Sequence, residues 1–420
     1  MVLSLDFARS RLLAFLDEAE RLIEAEFPYS YSEEALNRIR QLFERKLKLL
    51  EQLDEQSDPA TVQQECALTL RDLFNYVPLV GFILRSTNVR NAFEVFGPLL
   101  RLARNVLESQ VARDQRKTRL VLSSEWDYSP FIYPIIPALP GFVMIGLPAP
   151  ESANPLLFPL AGHELGHSVW AKLDLSDSLK FKVTEEVISV IKQRWTDYQE
   201  VFPYLQIEKG DLDRDMFAYE SWEQAVPWAL GQAEESFCDF VGLRIFGRSF
   251  LDAFAYLLSP TTGSRSPIYP SMHKRVVNLI KAANYYDVIF ASDYEQMFTD
   301  DTLIGFTRGD EFRIAVADEV LDRLVPDLIS TASTNIRDSG IEFPSEDEIA
   351  RICERFKRVV PAERCKSLAD ILNAGWRAKY DVNLWEDLPE VKVDKDGILK
   401  ELVLKNIEVF EIEQILKESP

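Results

Sequence analysis

Two of the three histidines in this 420-residue chain fall in one run, His163-Glu164-Leu165-Gly166-His167. On a helix, residues i and i+4 lie one turn apart on the same face, so both imidazoles reach one ion. Zinc takes imidazole nitrogen at about 2.0–2.1 Å, and hydrolytic zinc sites combine three protein ligands with one open position. Glu164 points to a neighbouring position, where it can bond a water at the open site without occupying the metal. Residues of these types at this spacing point to metal-assisted hydrolysis. With so few histidines in the chain, the motif is not a by-product of composition.

A third ligand must come from elsewhere. An extended H-E-x-x-H-x-x-G-x-x-H pattern needs glycine at 170 and histidine at 173; the chain has Trp170 and Leu173, which excludes that class. His273 is distant and is recruited only through the fold. The better candidate lies in Glu234-Glu235-Ser236-Phe237-Cys238-Asp239, inside an apolar helical pattern continuing through Phe240, Val241, Leu243, Ile245 and Phe246. Glu235 and Asp239 are again i and i+4. Two acids on an apolar helix need partners, because an unpaired buried carboxylate is costly. Glu235 as ligand, with Asp239 accepting the second ring N–H of a ligand histidine, supplies both. Glu234 is the competing ligand, and its i+4 neighbour, Cys238, offers no such support.

An H-E-x-x-H motif followed by an E-x-x-x-D helix resembles the gluzincin group of zinc peptidases, which includes the thermolysin-like branch and the branch of CAAX prenyl proteases and HtpX-like peptidases. In the latter, an H-P-x-x-x-x-R element tends to follow. Here Tyr269-Pro270-Ser271-Met272-His273-Lys274-Arg275 keeps the proline and arginine, with Tyr269 in the place of the histidine. The resemblance spans about residues 140–285. It implies a soluble relative, since the membrane helices of the prenyl-protease branch are absent. It also implies that Tyr269, His273 or Arg275 steadies the oxyanion of a tetrahedral intermediate. A strand before the metal helix, here Gly141–Leu147, would bind substrate by edge pairing.

The elements that must carry these residues follow from periodicity. Leu12, Leu16, Ala19 and Ile23 mark a first helix. Leu36, Ile39, Leu42, Phe43, Leu47 and Leu50 mark a second over 32–55, with Asp58-Pro59 as punctuation. Two more helices are expected between 60 and 110. Leu120–Leu122 and Phe142–Ile145 are apolar, β-branched runs that predict strands. Residues 128–150 carry no charge, but their six prolines rule out a spanning helix and predict extended chain and loops. The metal helix is expected to start near Pro159. Loops are expected at 259–270, 337–345 and 386–397, with a closing helix over 399–416.

The predicted fold is mainly α (α+β): a helical bundle or cap over 1–115, a zincin-like catalytic core with a small sheet over 116–290, and a helical C-terminal region over 291–420. A formal net charge of −21 and a pI near 4.7 repel phosphates, which excludes nucleic-acid and anionic-membrane partners. Cys66, Cys238, Cys353 and Cys365 are far apart, with no C-x-x-C pair, so neither a zinc ribbon nor a disulfide framework is expected. The N-terminal stretch carries Asp6 and turns amphipathic, unlike a signal peptide. The expectation is a reduced, cytoplasmic, zinc-dependent peptidase with a peptide or protein substrate. Two alternatives stay open: a zinc hydrolase acting on a non-peptide substrate, and a catalytically silent zincin-like interaction protein.

Overall fold

Three- and four-residue apolar spacing makes most of this chain helix, and the computed structural model is mainly helical with one small three-stranded sheet among the described residues. The described residues are 2–54, 57–90, 92–112, 115–127, 130–133, 136–260 and 263–418. Tyr128 and Pro134 of the uncharged stretch, and Thr261 and Thr262 of the 259–270 loop, lie outside them. The chain packs as two compact units, Met1–Ala103 with Gln115–Ala153, and Arg104–Asp114 with Asn154–Pro420.

The first unit contains α1 (Val2–Ile23), α2 (Ser30–Glu51), α3 (Pro59–Arg85) and most of α4 (Ala92–Glu108). Leu12 and Ala19 of α1 and Leu36, Ile39, Phe43 and Leu50 of α2 are buried, as their spacing predicts. Asp58 opens α3: its carboxylate accepts the Thr61 N–H at 3.0 Å and Pro59 takes the first helical position. The sheet comprises β1 (Arg119–Glu125), β2 (Phe131–Ile132) and β3 (Phe142–Pro148) in the order β1-β3-β2. β1 runs parallel to β3, with Leu120, Val121 and Leu122 opposite Val143, Met144 and Ile145. Val121 and Met144 share a core with Phe82 and Ile83 of α3. Arg119 bonds Glu34 at 2.6 Å and Arg85 bonds Glu125 at 2.8 Å, tying α2 and α3 to β1.

The strands cluster with α1–α3, and the face bearing Val121 and Met144 packs against α3. One expectation changes here. β3 is not an edge: β1 occupies one side and β2 part of the other, with the Tyr133 N–H reaching the Met144 carbonyl at 3.1 Å. Among the described residues it is therefore the middle strand of the sheet rather than an edge. One span among the described residues, Pro59–Asn88, is long and apolar enough to cross a membrane; Leu73, Leu79, Phe82 and Ile83 within it belong to this unit's core.

The second unit is helical. A 3-10 turn, Pro155–Leu160, leads into α5 (Ala161–Lys172), two residues past the expected start. Then come α6 (Leu175–Gln193), α7 (Trp195–Val201), α8 (Met216–Trp222), α9 (Ala225–Phe246), α10 (Arg248–Leu258), α11 (Met272–Tyr285) and α12 (Arg308–Asp338). The last four are α13 (Glu346–Phe356), α14 (Leu368–Tyr380), α15 (Pro389–Lys392) and α16 (Lys395–Glu418). α9 is the axis of this unit. It is apolar nearly all round, with Phe237, Phe240, Val241 and Leu243 fully buried, and α5, α6, α11 and α12 pack around it. Each such side chain contributes roughly 1.5–3 kcal/mol relative to exposure. Any charged residue on α9 therefore needs a specific partner.

Candidate metal centre

Two glycines let α5 lie against α9. A Cβ added at Gly166 would stand 2.6 Å from the Cys238 Cα, and one at Gly162 would stand 2.9 Å from the Gly242 Cα. Glycine costs about 1 kcal/mol in a helix interior relative to alanine; here it allows backbone-to-backbone approach. That approach places the His163 and His167 rings, one turn apart on α5 with centroids 5.1 Å apart, opposite the acids of α9.

The second ring nitrogens settle the orientation. His163 Nδ1 bonds Asp239 at 2.8 Å and His167 Nδ1 bonds Glu234 at 2.8 Å. With both Nδ1 atoms engaged, both Nε2 atoms are left for a ligand. His163 Nε2 lies 3.4 Å from Glu235 Oε2, and His167 Nε2 lies 3.8 Å from Glu235 Oε1. Around a tetrahedral zinc, ligand atoms sit about 3.4 Å apart. Among the described residues, His163, His167 and Glu235 are the one group whose ligand atoms, one from each, lie within 4.8 Å of one another. The donor set fits a divalent cation in charge as well. Glu164, Glu235 and Asp239 are buried against a single guanidinium among the described residues, that of Arg275.

The electrostatics follow from burial and these partners. Burial alone would lower the His163 pKa, but its bonds to Asp239 and Glu235 and the charges of Asp239 and Glu164 carry it up to about 10. Burial would raise Asp239, yet the Arg275 charge and hydrogen bonds hold it down to about 2. Burial likewise works against Glu235, and His163, Arg275 and His167 keep it below its usual range. Glu164 is the exception. Burial raises it more than the two histidines lower it. It takes no hydrogen bond from any group among the described residues, so its carboxyl stands beside the ligands with free acceptor capacity.

The remaining expected residues separate into two groups. Arg275, near the start of α11, gives Nε and Nη2 to the two oxygens of Asp239 at 2.6 and 2.8 Å and lies over the Phe254 ring. It steadies Asp239, which steadies His163. Tyr269 stands beside Glu235, whose charge, then burial, raises its phenol pKa; it is 42% exposed. Its loop is held by Gln232, whose amide bonds the Pro267 carbonyl at 3.0 Å, and by the close approach of Ile268 to Gly231. His273 does not join them. It faces outward toward Glu295 at 3.5 Å, with 59% of its side chain exposed. The helix phase explains this, since two residues before Arg275 on α11 points away from α9.

The sequence offers Glu234 as a rival ligand, whereas in the structure it bonds His167 as Asp239 bonds His163. The signal for this role is that two ligand histidines require two second-nitrogen partners, and Asp239 serves only one. No family model matches the chain, and no curated protein or solved structure matches it either.

Proposed function

We propose that this chain is a zinc-dependent peptidase of gluzincin type, working in the cytoplasm, with a zincin-like core formed by α5, α9 and α11. One observation carries the reading. His163, His167 and Glu235 converge with the histidines' second contacts already made, and Glu164 stands buried beside them with no hydrogen-bond partner among the described residues. A purely structural staple has no use for that carboxyl. Peptide as the substrate rests on the family resemblance and on the acidic surface, which disfavours phosphate-bearing substrates.

Zinc held by His163, His167 and Glu235 would supply Lewis acidity toward a carbonyl oxygen and make water acidic near neutral pH. The chain's own groups handle the protons. Glu164, raised by burial, takes a proton from the attacking water and returns it to the departing amine nitrogen. Asp239 and Glu234 hold both imidazoles in the tautomer that frees Nε2. Arg275 neutralises Asp239. Tyr269, kept protonated by the Glu235 charge, donates its O–H toward the oxygen that gains charge as the carbonyl becomes tetrahedral.

The test is metal content by mass spectrometry and digestion of a broad peptide library, run on wild type and Glu164→Gln. The expected result is near-stoichiometric zinc in both, with cleavage lowered about 100- to 10,000-fold in the variant. Cleavage retained in the variant overturns the mechanism. A zinc-replete wild type that cleaves no peptide overturns the choice of substrate.

A further inference from the structure

A buried arginine at the far end of α9 has no counter-charge. Arg244 is only 9% exposed, and its Nη1 is buried with no hydrogen-bond partner. No carboxylate pairs with it among the described residues. Scarcity of acids is not the reason, since the chain carries 68 Asp and Glu against 47 Lys and Arg. The guanidinium lies over the Phe343 ring, 5.3 Å from its centroid. Among the described residues its one ionised neighbour near neutral pH is a second cation, Arg337, which is two-thirds exposed and lies 3.5 Å from Asp338. Burial and Arg337 both favour its neutral form, which a guanidinium does not adopt.

The simplest structural role would be to cap the end of α9, where a cation favours the exposed carbonyls. Two of those carbonyls are taken by others. The Leu243 carbonyl accepts the Gly247 N–H at 2.8 Å, and the Phe246 carbonyl accepts Ser249 Oγ at 2.8 Å and Asn373 Nδ2 at 2.7 Å. Arg244 bonds neither. With Nη1 shut off from both a partner and solvent, the guanidinium gains from an anion that reaches its remaining N–H groups. Nor does Arg244 belong to the metal centre. It lies nine residues beyond Glu235, which on a helix is half a circle around the axis and about 13–14 Å along it.

We infer that Arg244, with Arg337 near it, forms a binding site for a small oxyanion, a phosphate or a carboxylate, on the face of α9 opposite the metal centre. The planar fork of a guanidinium matches two oxygens of either group. The Phe343 ring lies on one side of it. Tyr286 adds little, because its hydroxyl already donates to the Ile329 carbonyl at 3.2 Å.

The test titrates inorganic phosphate and, separately, acetate into the full chain by calorimetry. Chelator is present to keep the anions off the metal centre, and chloride holds ionic strength constant. Wild type is expected to bind at least one of the two saturably, and the tighter one identifies the ligand. Arg244→Met is expected to bind about tenfold more weakly or worse, and Arg337→Gln to lose a smaller factor. The same anion should raise the melting temperature of wild type and not that of Arg244→Met. Should the methionine variant fail to fold, Arg244→Lys carries the test, since it keeps the charge and loses the fork. No saturable binding of either anion by wild type overturns the inference, and so does undiminished binding by both Arg244 variants.

Discussion

Gly166→Ala sets two well-measured effects against each other, and the packing of α5 on α9 decides between them. By helix propensity alone, alanine should stabilise α5 by about 1 kcal/mol. But the added Cβ would stand 2.6 Å from the Cys238 Cα, 2.9 Å from its Cβ and 3.1 Å from its Sγ. Non-bonded carbons settle at about 3.5–4.0 Å, so the helices must part by about 1 Å. The obstructing atom is backbone on the central helix of the unit, not the end of a flexible side chain. Overpacking costs about 1–3 kcal/mol, and here the upper end applies. The net is a loss of about 2 kcal/mol after the propensity gain. Function should suffer more than stability. Metal–ligand distances tolerate only about 0.2 Å, and the same parting carries both imidazoles away from Glu235, so zinc affinity should fall at least about tenfold. Denaturant unfolding and chelator competition measure the two losses. Gly210→Ala serves as control, since nothing lies within 4 Å of its added Cβ. A Gly166→Ala protein as stable as wild type, with zinc affinity intact, would refute the close-packing argument.

Three further outcomes follow from the same geometry. His163 has its pKa raised to about 10 in the metal-free fold, so its stabilising contribution is fully present below about pH 6.5 and is lost as pH rises toward 10. Chelator-treated protein should therefore become less stable across that window, while zinc affinity climbs by up to about tenfold per pH unit as the competing proton leaves; a flat affinity profile between pH 7 and 9 contradicts the His163 bonds. His273→Ala should leave zinc content and peptide cleavage at wild-type levels, whereas Tyr269→Phe should lower kcat by about 100-fold with little change in KM; equal effects would remove Tyr269 from the role of oxyanion donor. Glu235→Ala should lose zinc outright by mass spectrometry, and retained stoichiometric metal would move the third ligand to Glu234.

Much of this was legible in the sequence, and what was not shares a cause. His163, Glu164 and His167 are local to one helix turn, so their spacing alone fixes their common face. Glu235 and Asp239 obey the same rule on α9. The helices α1–α4 and the strands at 120–122 and 142–145 are also local properties. The failures concern which elements meet. Periodicity shows that β1 and β3 have apolar faces but not which element meets each, and an apolar strand does not announce whether both its edges will be paired. His273 looked eligible because it is the one remaining histidine. Its exclusion depends on the rotation of α11 against α9, which Asp239 and Arg275 set through two hydrogen bonds. Arg244 was invisible for the same reason, since burial without a partner is a property of the packed unit.

The two orienting carboxylates are chemically alike and physically unlike, which makes their comparison the sharpest test of the centre. Asp239 is buried and bonds both His163 and Arg275. Glu234 bonds His167 alone, and a third of its side chain is exposed. Removing the Asp239 charge strands a buried guanidinium, and breaking such a pair costs about 3–5 kcal/mol. Removing the Glu234 charge leaves a site that water can reach, where ion pairs contribute about 0–1 kcal/mol. Asp239→Asn should therefore destabilise the protein by several kcal/mol and lower zinc affinity toward the upper end of about 10- to 100-fold. Glu234→Gln should stay near wild-type stability and lose zinc affinity toward the lower end of that range. The double change Asp239→Asn with Arg275→Met should recover part of the lost stability, because it removes the stranded charge, yet recover none of the zinc affinity. Stability and metal binding that recover together would mean that Arg275 acts on the metal directly, rather than through the carboxylate that orients His163.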